Sequence, residues 1–333
     1  MSLNTRTPIS RRNLIASALI TVGAVAAGVG FTNNPAASGD GKRPMVTATI
    51  GMITDVARNI GGEHVRVNGL MGPGIDPHLY KPSAGDIIQL GNADLILYGG
   101  LHLEGRMSET FEKISDSGRK PTVAVSESIP EERLIVVGEG PTWDPHVWFD
   151  VSLWRIVAET IAESLIEMFP AHADAFAENA ERYIAKLDEV NAWVFEQVER
   201  LPESQRVLVT AHDAFSYFGR RYGFEVRGLQ GLSTASEAGA GDVQELADFL
   251  AEREIRAMFV ESSVPPATIE AVQAASRARG WDVAIGGELY ADAMGEEGTA
   301  DGTYIGMVRH NVTTIVTALL GDGETLAASM EIV

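Results

Sequence analysis

The chain has 333 residues, with 26 Lys+Arg against 46 Asp+Glu and a formal net charge of −20. Hydrophobic residues make up 45 % and charged residues 22 %, which excludes a disordered, a collagen-like or a multi-span membrane chain. So acidic a surface offers little to phosphates, so no nucleic-acid partner is expected and cations fit better. There is no cysteine. That excludes disulfides, thiolate catalysis, thiolate metal sites and a lipid-modified N-terminal Cys. At roughly 100–200 residues per domain, the length predicts about two domains.

Residues 1–37 carry Arg6, Arg11 and Arg12 and no acidic residue, followed by the apolar run Leu14–Gly30. This reads as a signal peptide. Ala24-Val25-Ala26 and Pro35-Ala36-Ala37 are alternative cleavage points, and Arg11-Arg12 leaves a twin-arginine and an ordinary secretory route both open. The expected compartment is the periplasm, with the signal cleaved and no lipid anchor.

Beyond residue 44, short apolar strands alternate with helical stretches. Strands are predicted over 46–52, 64–70, 94–98 and 122–125, with Thr54 capping a short helix and Ser83–Asp86 forming a capping box. A second alternating block holds strands over 206–210, 224–227, 257–260 and 282–285, with helices over 213–222, 241–254 and 267–279. Between the blocks, residues 171–200 contain no Gly or Pro and are bracketed by Pro170 and Pro202. Phe176, Tyr183, Leu187, Val190 and Val194 fall at helical spacing on that segment, so one face of a helix roughly 45 Å long is buried. The predicted fold is α/β: parallel-sheet domains over 44–169 and 202–330, joined by a rigid helix over 170–201. A stiff helical joint implies small domain motions.

Seven histidines are present, and two of them share a tripeptide, Asp76-Pro77-His78 and Asp144-Pro145-His146. With only 14 prolines in the chain, the repeat exceeds chance. Proline fixes its own φ and restricts its neighbour, which holds an imidazole in a rigid turn. His212 ends a predicted strand, and in open α/β sheets ligands bind beyond the carboxyl ends of strands. His78, His146, His212 and Asp292 could line one interdomain crevice, although spacing alone does not single out Asp292. Three imidazoles and a carboxylate suit Zn²⁺, with Mn²⁺ possible given more oxygen donors. His64, His102, His172 and His310 read as structural, His102 least firmly because it sits in a loop after a strand.

At these residues the chain resembles the zinc/manganese, TroA-like family of ABC-transporter solute-binding proteins. The resemblance rests on Gly74–Ser83, Asp144–Asp150, Thr210–Phe215 with Tyr217-Phe218, Phe259–Ser263 and Leu289–Ala293, in the family's order. It implies His78, His146, His212 and Asp292 as metal ligands. Glu261 is the expected partner for the far nitrogen of a ligand histidine, and Asp150 is expected to cap a helix. Many manganese-preferring members have Glu where this chain has His212, which favours zinc. Residues 120–143 lack the His-rich loop of many zinc-specific members, which leaves manganese open. Lys81 stands where the family often has Glu. The function implied is capture of Zn²⁺ or Mn²⁺ and delivery to an ABC permease, by a monomer that is not an enzyme. The alternatives are a metallohydrolase using a three-His zinc, for which no His-Glu-x-x-His motif exists, and an adhesin.

Overall fold

A computed structural model describes residues 43–138 and 142–321. The signal peptide expected over 1–37 lies outside the described residues. In chain order the first half contains β1 (Met45–Ala48), α1 (Gly51–Gly61), β2 (Arg66–Gly69), α2 (Ala84–Asn92), β3 (Leu95–Tyr98), α3 (Ser108–Asp116) and β4 (Thr122–Ala124). Two helices follow, α4 (Val151–Met168) and α5 (Ala173–Glu199). The second half contains β5 (Val207–His212), α6 (Ser216–Tyr222), β6 (Glu225–Gln230), α7 (Ala240–Glu252), β7 (Ala257–Glu261), α8 (Ala267–Ala278), β8 (Ala284–Leu289) and α9 (Tyr304–Leu320).

Among the described residues, all pairings between these strands are parallel. The first sheet has the order β2-β1-β3-β4. In the second half β5 pairs with β6 and β7 with β8, and the β5 and β7 traces come within 8 Å of each other. That gives β6-β5-β7-β8, the same order as the first half. The α/β class with parallel sheets and a long helix is therefore as the alternation predicts.

Burial explains the runs of apolar residues. All six residues of β5 are buried, with Leu208 in one hydrophobic cluster and Val207, Val209 and Ala211 in another. A strand covered on both faces reads as a continuous apolar run. Along α5 the buried side chains are Phe176, Ala180, Tyr183, Leu187, Val190, Val194 and Val198. Their three- and four-residue spacing makes one stripe, against which α1 and α4 from one side of the chain and α9 from the other pack. Pro170 starts a short 3₁₀ turn, so the helix proper begins at Ala173.

Several boundaries differ from expectation. β1 stops at Ala48, because α1 begins at Gly51; Thr54 lies inside α1 and its hydroxyl donates to Ile50 O at 3.0 Å. The Ser83–Asp86 capping box is present at the start of α2. β6 runs on through Gly228 and β8 through Gly286 and Gly287, beyond the predicted strand ends. Glycine there permits close packing instead of ending the strand. A Cβ on Gly228 would lie 2.4 Å from Asp213 N, and one on Gly286 would lie 2.7 Å from Ala318 Cβ.

Candidate metal centre

His78, His146 and Asp292 lie in segments that follow β2, β4 and β8, and His212 is the last residue of β5. Two belong to the first half and two to the second, and one ligating atom from each lies within 4.8 Å of all the others. Among the described residues no other group of three or more His, Asp or Glu converges in this way. His146, His212 and Asp292 are buried, as is the ring of His78.

The inner atoms are set at coordination distances. His78 Nε2 is 3.2 Å from His146 Nε2. Asp292 Oδ1 is 3.4 Å from His146 Nε2, and Oδ2 is 3.3 Å from His212 Nε2 and 3.9 Å from His78 Nε2. Zinc–nitrogen bonds of about 2.0–2.1 Å at tetrahedral angles would place ligand atoms roughly 3.3–3.4 Å apart. The His78–His146 separation and the shorter contact of each Asp292 oxygen lie near that edge, and the His78–Asp292 Oδ2 separation is longer. Both Asp292 oxygens and His212 Nε2 are buried without a hydrogen-bond partner. Buried polar atoms without partners are costly, and a cation at the centre would satisfy all of them.

The outer nitrogens show how two of the rings are aimed. His146 Nδ1 lies 2.8 Å from Asp144 Oδ1, which also accepts the His146 backbone N–H at 2.9 Å. His212 Nδ1 contacts Glu261 Oε2, and the His212 backbone N–H donates to Glu261 Oε1 at 2.9 Å. A carboxylate only accepts, so each Nδ1 carries a proton and each Nε2 can turn its lone pair inward. In the other Asp-Pro-His turn, Asp76 Oδ1 accepts the His78 backbone N–H at 2.8 Å. The aspartates of both tripeptides thus close the turns that hold the histidines.

The loop carrying Asp292 is pinned to the His146 segment. Trp148 Nε1 donates to Ala291 O at 3.0 Å, and Tyr304 Oη donates to Trp148 O at 2.7 Å. Tyr217 Oη donates to Asp144 O at 2.9 Å.

The electrostatics follow from this crowding. Burial would raise the Asp292 carboxyl, but the imidazoles of His212, His146 and His78 outweigh it and hold it well below the usual carboxylate range. Burial lowers His78 to about 4 despite the pull of Asp292. Burial also opposes protonation of His146, but the Asp144 and Asp292 carboxylates prevail and raise it to about 9. The same contest, with Asp292 and Glu261, leaves His212 raised well above its ordinary value.

Other residues singled out in the sequence lie outside this cluster. Asp150 caps α4 by accepting from Ser152 N at 2.9 Å. His64 and His172 stack on each other with ring centroids 4.5 Å apart. His310 Nε2 lies 3.0 Å from Glu288 O. His102 occupies a left-handed turn after β3, with φ 63°. Sequence reasoning missed the part played by Asp144 and Asp76. Their signal was the repeated Asp itself, which the proline overshadowed.

Residues 46–318 match the family described as zinc-uptake complex component A, periplasmic. The manganese-binding lipoprotein MntA of Bacillus subtilis is 51 % identical over 309 residues, covering 93 % of this chain and 99 % of MntA. The zinc-binding protein TroA of Treponema pallidum is 53 % identical, over 87 % of this chain and 94 % of TroA. The solved structure of that periplasmic zinc-binding TroA superposes with a TM-score of 0.81, covering 83 % of this chain and 99 % of the other at 53 % identity. These relatives overturn one expectation. A freely periplasmic form without a lipid anchor was predicted from the missing cysteine, yet MntA is a lipoprotein, as are relatives in Halalkalibacterium halodurans and Streptococcus. A cysteine count speaks to one chemistry of attachment and does not fix where a chain with such relatives resides.

Proposed function

The chain belongs to the zinc-uptake complex component A family, and on that premise we propose that His78, His146, His212 and Asp292 are the ligands of its transported metal ion. The protein is a substrate-binding component of an ABC transporter, and its cargo is Zn²⁺ or Mn²⁺. A membrane permease is its partner. The observation that carries the ligand set is the convergence of three Nε2 atoms on a buried carboxylate whose two oxygens have no other partner.

Three imidazoles and one carboxylate oxygen complete a tetrahedral zinc. Both Asp292 oxygens face the histidines, at 3.4 and 3.3 Å, so two-oxygen binding would supply the higher coordination that Mn²⁺ accepts. Divalent affinity rises from Mn²⁺ to Zn²⁺ for a given donor set, so zinc is expected to bind more tightly.

Catalysis is not part of this reading. A zinc hydrolase needs an open coordination position and a free general base. Here the fourth position faces Asp292, and Glu261 is engaged with the ring and backbone of His212. We further propose that residues 44–169 and 202–330 act as two lobes around the helix over 170–201, that the working form is a monomer, and that Glu261 aims His212.

Titration of chelator-stripped protein with Zn²⁺ and Mn²⁺ tests the reading. One equivalent is expected to bind, and a ligand at 100 times its Kd stabilises the fold by about 2.7 kcal/mol. The shift is lost in His146→Ala. No stabilisation by either ion overturns the assignment.

A further inference from the structure

The three imidazoles are not equally supported. His146 and His212 each have a carboxylate on the outer ring nitrogen and on the backbone N–H. Among the described residues, no carboxylate takes the outer nitrogen of His78. What fixes His78 is its backbone N–H on Asp76 Oδ1, at 2.8 Å. It sits in the stretch between β2 and α2, residues 70–83, which forms neither strand nor helix.

The second oxygen of Asp76 has a partner from the other half of the chain. Thr234 Oγ1 donates to Asp76 Oδ2. Thr234 is buried, 8 % exposed, in the segment between β6 and α7. β6 holds the place in its strand order that β2 holds in the first. The loops after these two corresponding strands therefore meet, one carrying His78 and the other Thr234. The same stretch also approaches the segment after β7, since a Cβ on Gly74 would be 3.5 Å from Ser262 O.

We propose that Thr234 is a positioning residue that latches the turn of His78 across the crevice and thereby sets the residence time of the bound metal. This rests on the ligand assignment above. A metal leaves a four-ligand site by losing ligands in turn, and the least supported ligand goes first. His78 departs when its turn moves, and that turn moves when Asp76 is released. A hydrogen bond to a charged carboxylate is among the stronger ones a hydroxyl makes. The contact holds the turn of a ligand that must leave before the ion can, so its loss is expected to raise the dissociation rate more than it slows association.

The test uses the full chain loaded with Zn²⁺ and mixed rapidly with an excess of a chromogenic chelator. Thr234→Val keeps the shape and removes the hydroxyl; Thr234→Ser keeps the hydroxyl. The expected result is dissociation about 10-fold faster in Thr234→Val and near-normal release in Thr234→Ser, with both metal-free variants still folding cooperatively and binding one equivalent. Equal release rates in wild type and Thr234→Val overturn the latch, as does release from Thr234→Ser as fast as from Thr234→Val. His146→Ala separates the two readings. If that variant still binds one equivalent with wild-type affinity, the ligand assignment fails whatever Thr234 does.

Discussion

Two histidines of the proposed ligand set have a buried carboxylate behind them, Asp144 for His146 and Glu261 for His212. Such partners fix the tautomer and raise the basicity of the ligating nitrogen, and their loss typically costs about 10–100-fold in metal affinity. Asp144→Asn and Glu261→Gln are each expected to weaken Zn²⁺ binding by about that factor, read by competition against a chelator of known affinity. Unchanged affinity in either variant would show that its carboxylate does not tune the ring. Much of this was legible in the sequence: the repeated Asp-Pro-His tripeptide marked two rings, and a strand end marked the third. What the tripeptides could not reveal is that they differ. Asp144 takes both the backbone and the ring of its histidine, whereas Asp76 takes only the backbone and turns its other oxygen to Thr234. Ring orientation is set by tertiary packing, which a three-residue motif does not encode.

At the scale of elements, helices were easier to read than strands. The buried stripe of α5 follows directly from the spacing of Phe176, Tyr183, Leu187, Val190 and Val194. The strands β6 and β8 extend past the ranges 224–227 and 282–285 through Gly228, Gly286 and Gly287. In the folded chain two of these glycines let backbone or helix approach closely, a demand imposed by distant residues and invisible locally. Gly228 has a functional consequence. β5 and β6 are in register with His212 opposite Gln230, and a Cβ on Gly228 would press on Asp213 N and on His212 C, 2.7 Å away. Gly228→Ala is therefore expected to destabilise the metal-free protein by about 1–3 kcal/mol in urea unfolding. It is also expected to weaken metal binding by displacing His212. Lower stability with intact affinity would mean that the strand end yields without carrying the ligand with it.

For the whole molecule, the concentration of charge at the crevice ties stability to pH in opposite senses with and without metal. In the metal-free protein His146 is raised from 6.5 to about 9, and His212 is raised too. A raised imidazole stabilises the fold fully below its unfolded value, and that contribution is lost as pH climbs through the folded one. His78, lowered to about 4, acts the other way and penalises the fold only as pH falls from 6.5 towards 4. Asp292, held well below 3.8, adds stability that is lost only in strong acid. The net expectation is a metal-free protein whose crevice contributes most near pH 6 and progressively less towards pH 9. Metal binding reverses this trend, because His146 and His212 must give up protons before they can ligate. Two displaced protons make affinity rise by up to about two orders of magnitude per pH unit while both rings titrate. The difference in melting temperature between Zn²⁺-loaded and metal-free protein should therefore widen steadily from about pH 6 to about pH 8.5. Paired thermal scans across that range check the expectation, and proton release into a weak buffer during titration gives an independent count. A melting difference that stays constant with pH would show that the ion does not displace protons from these histidines.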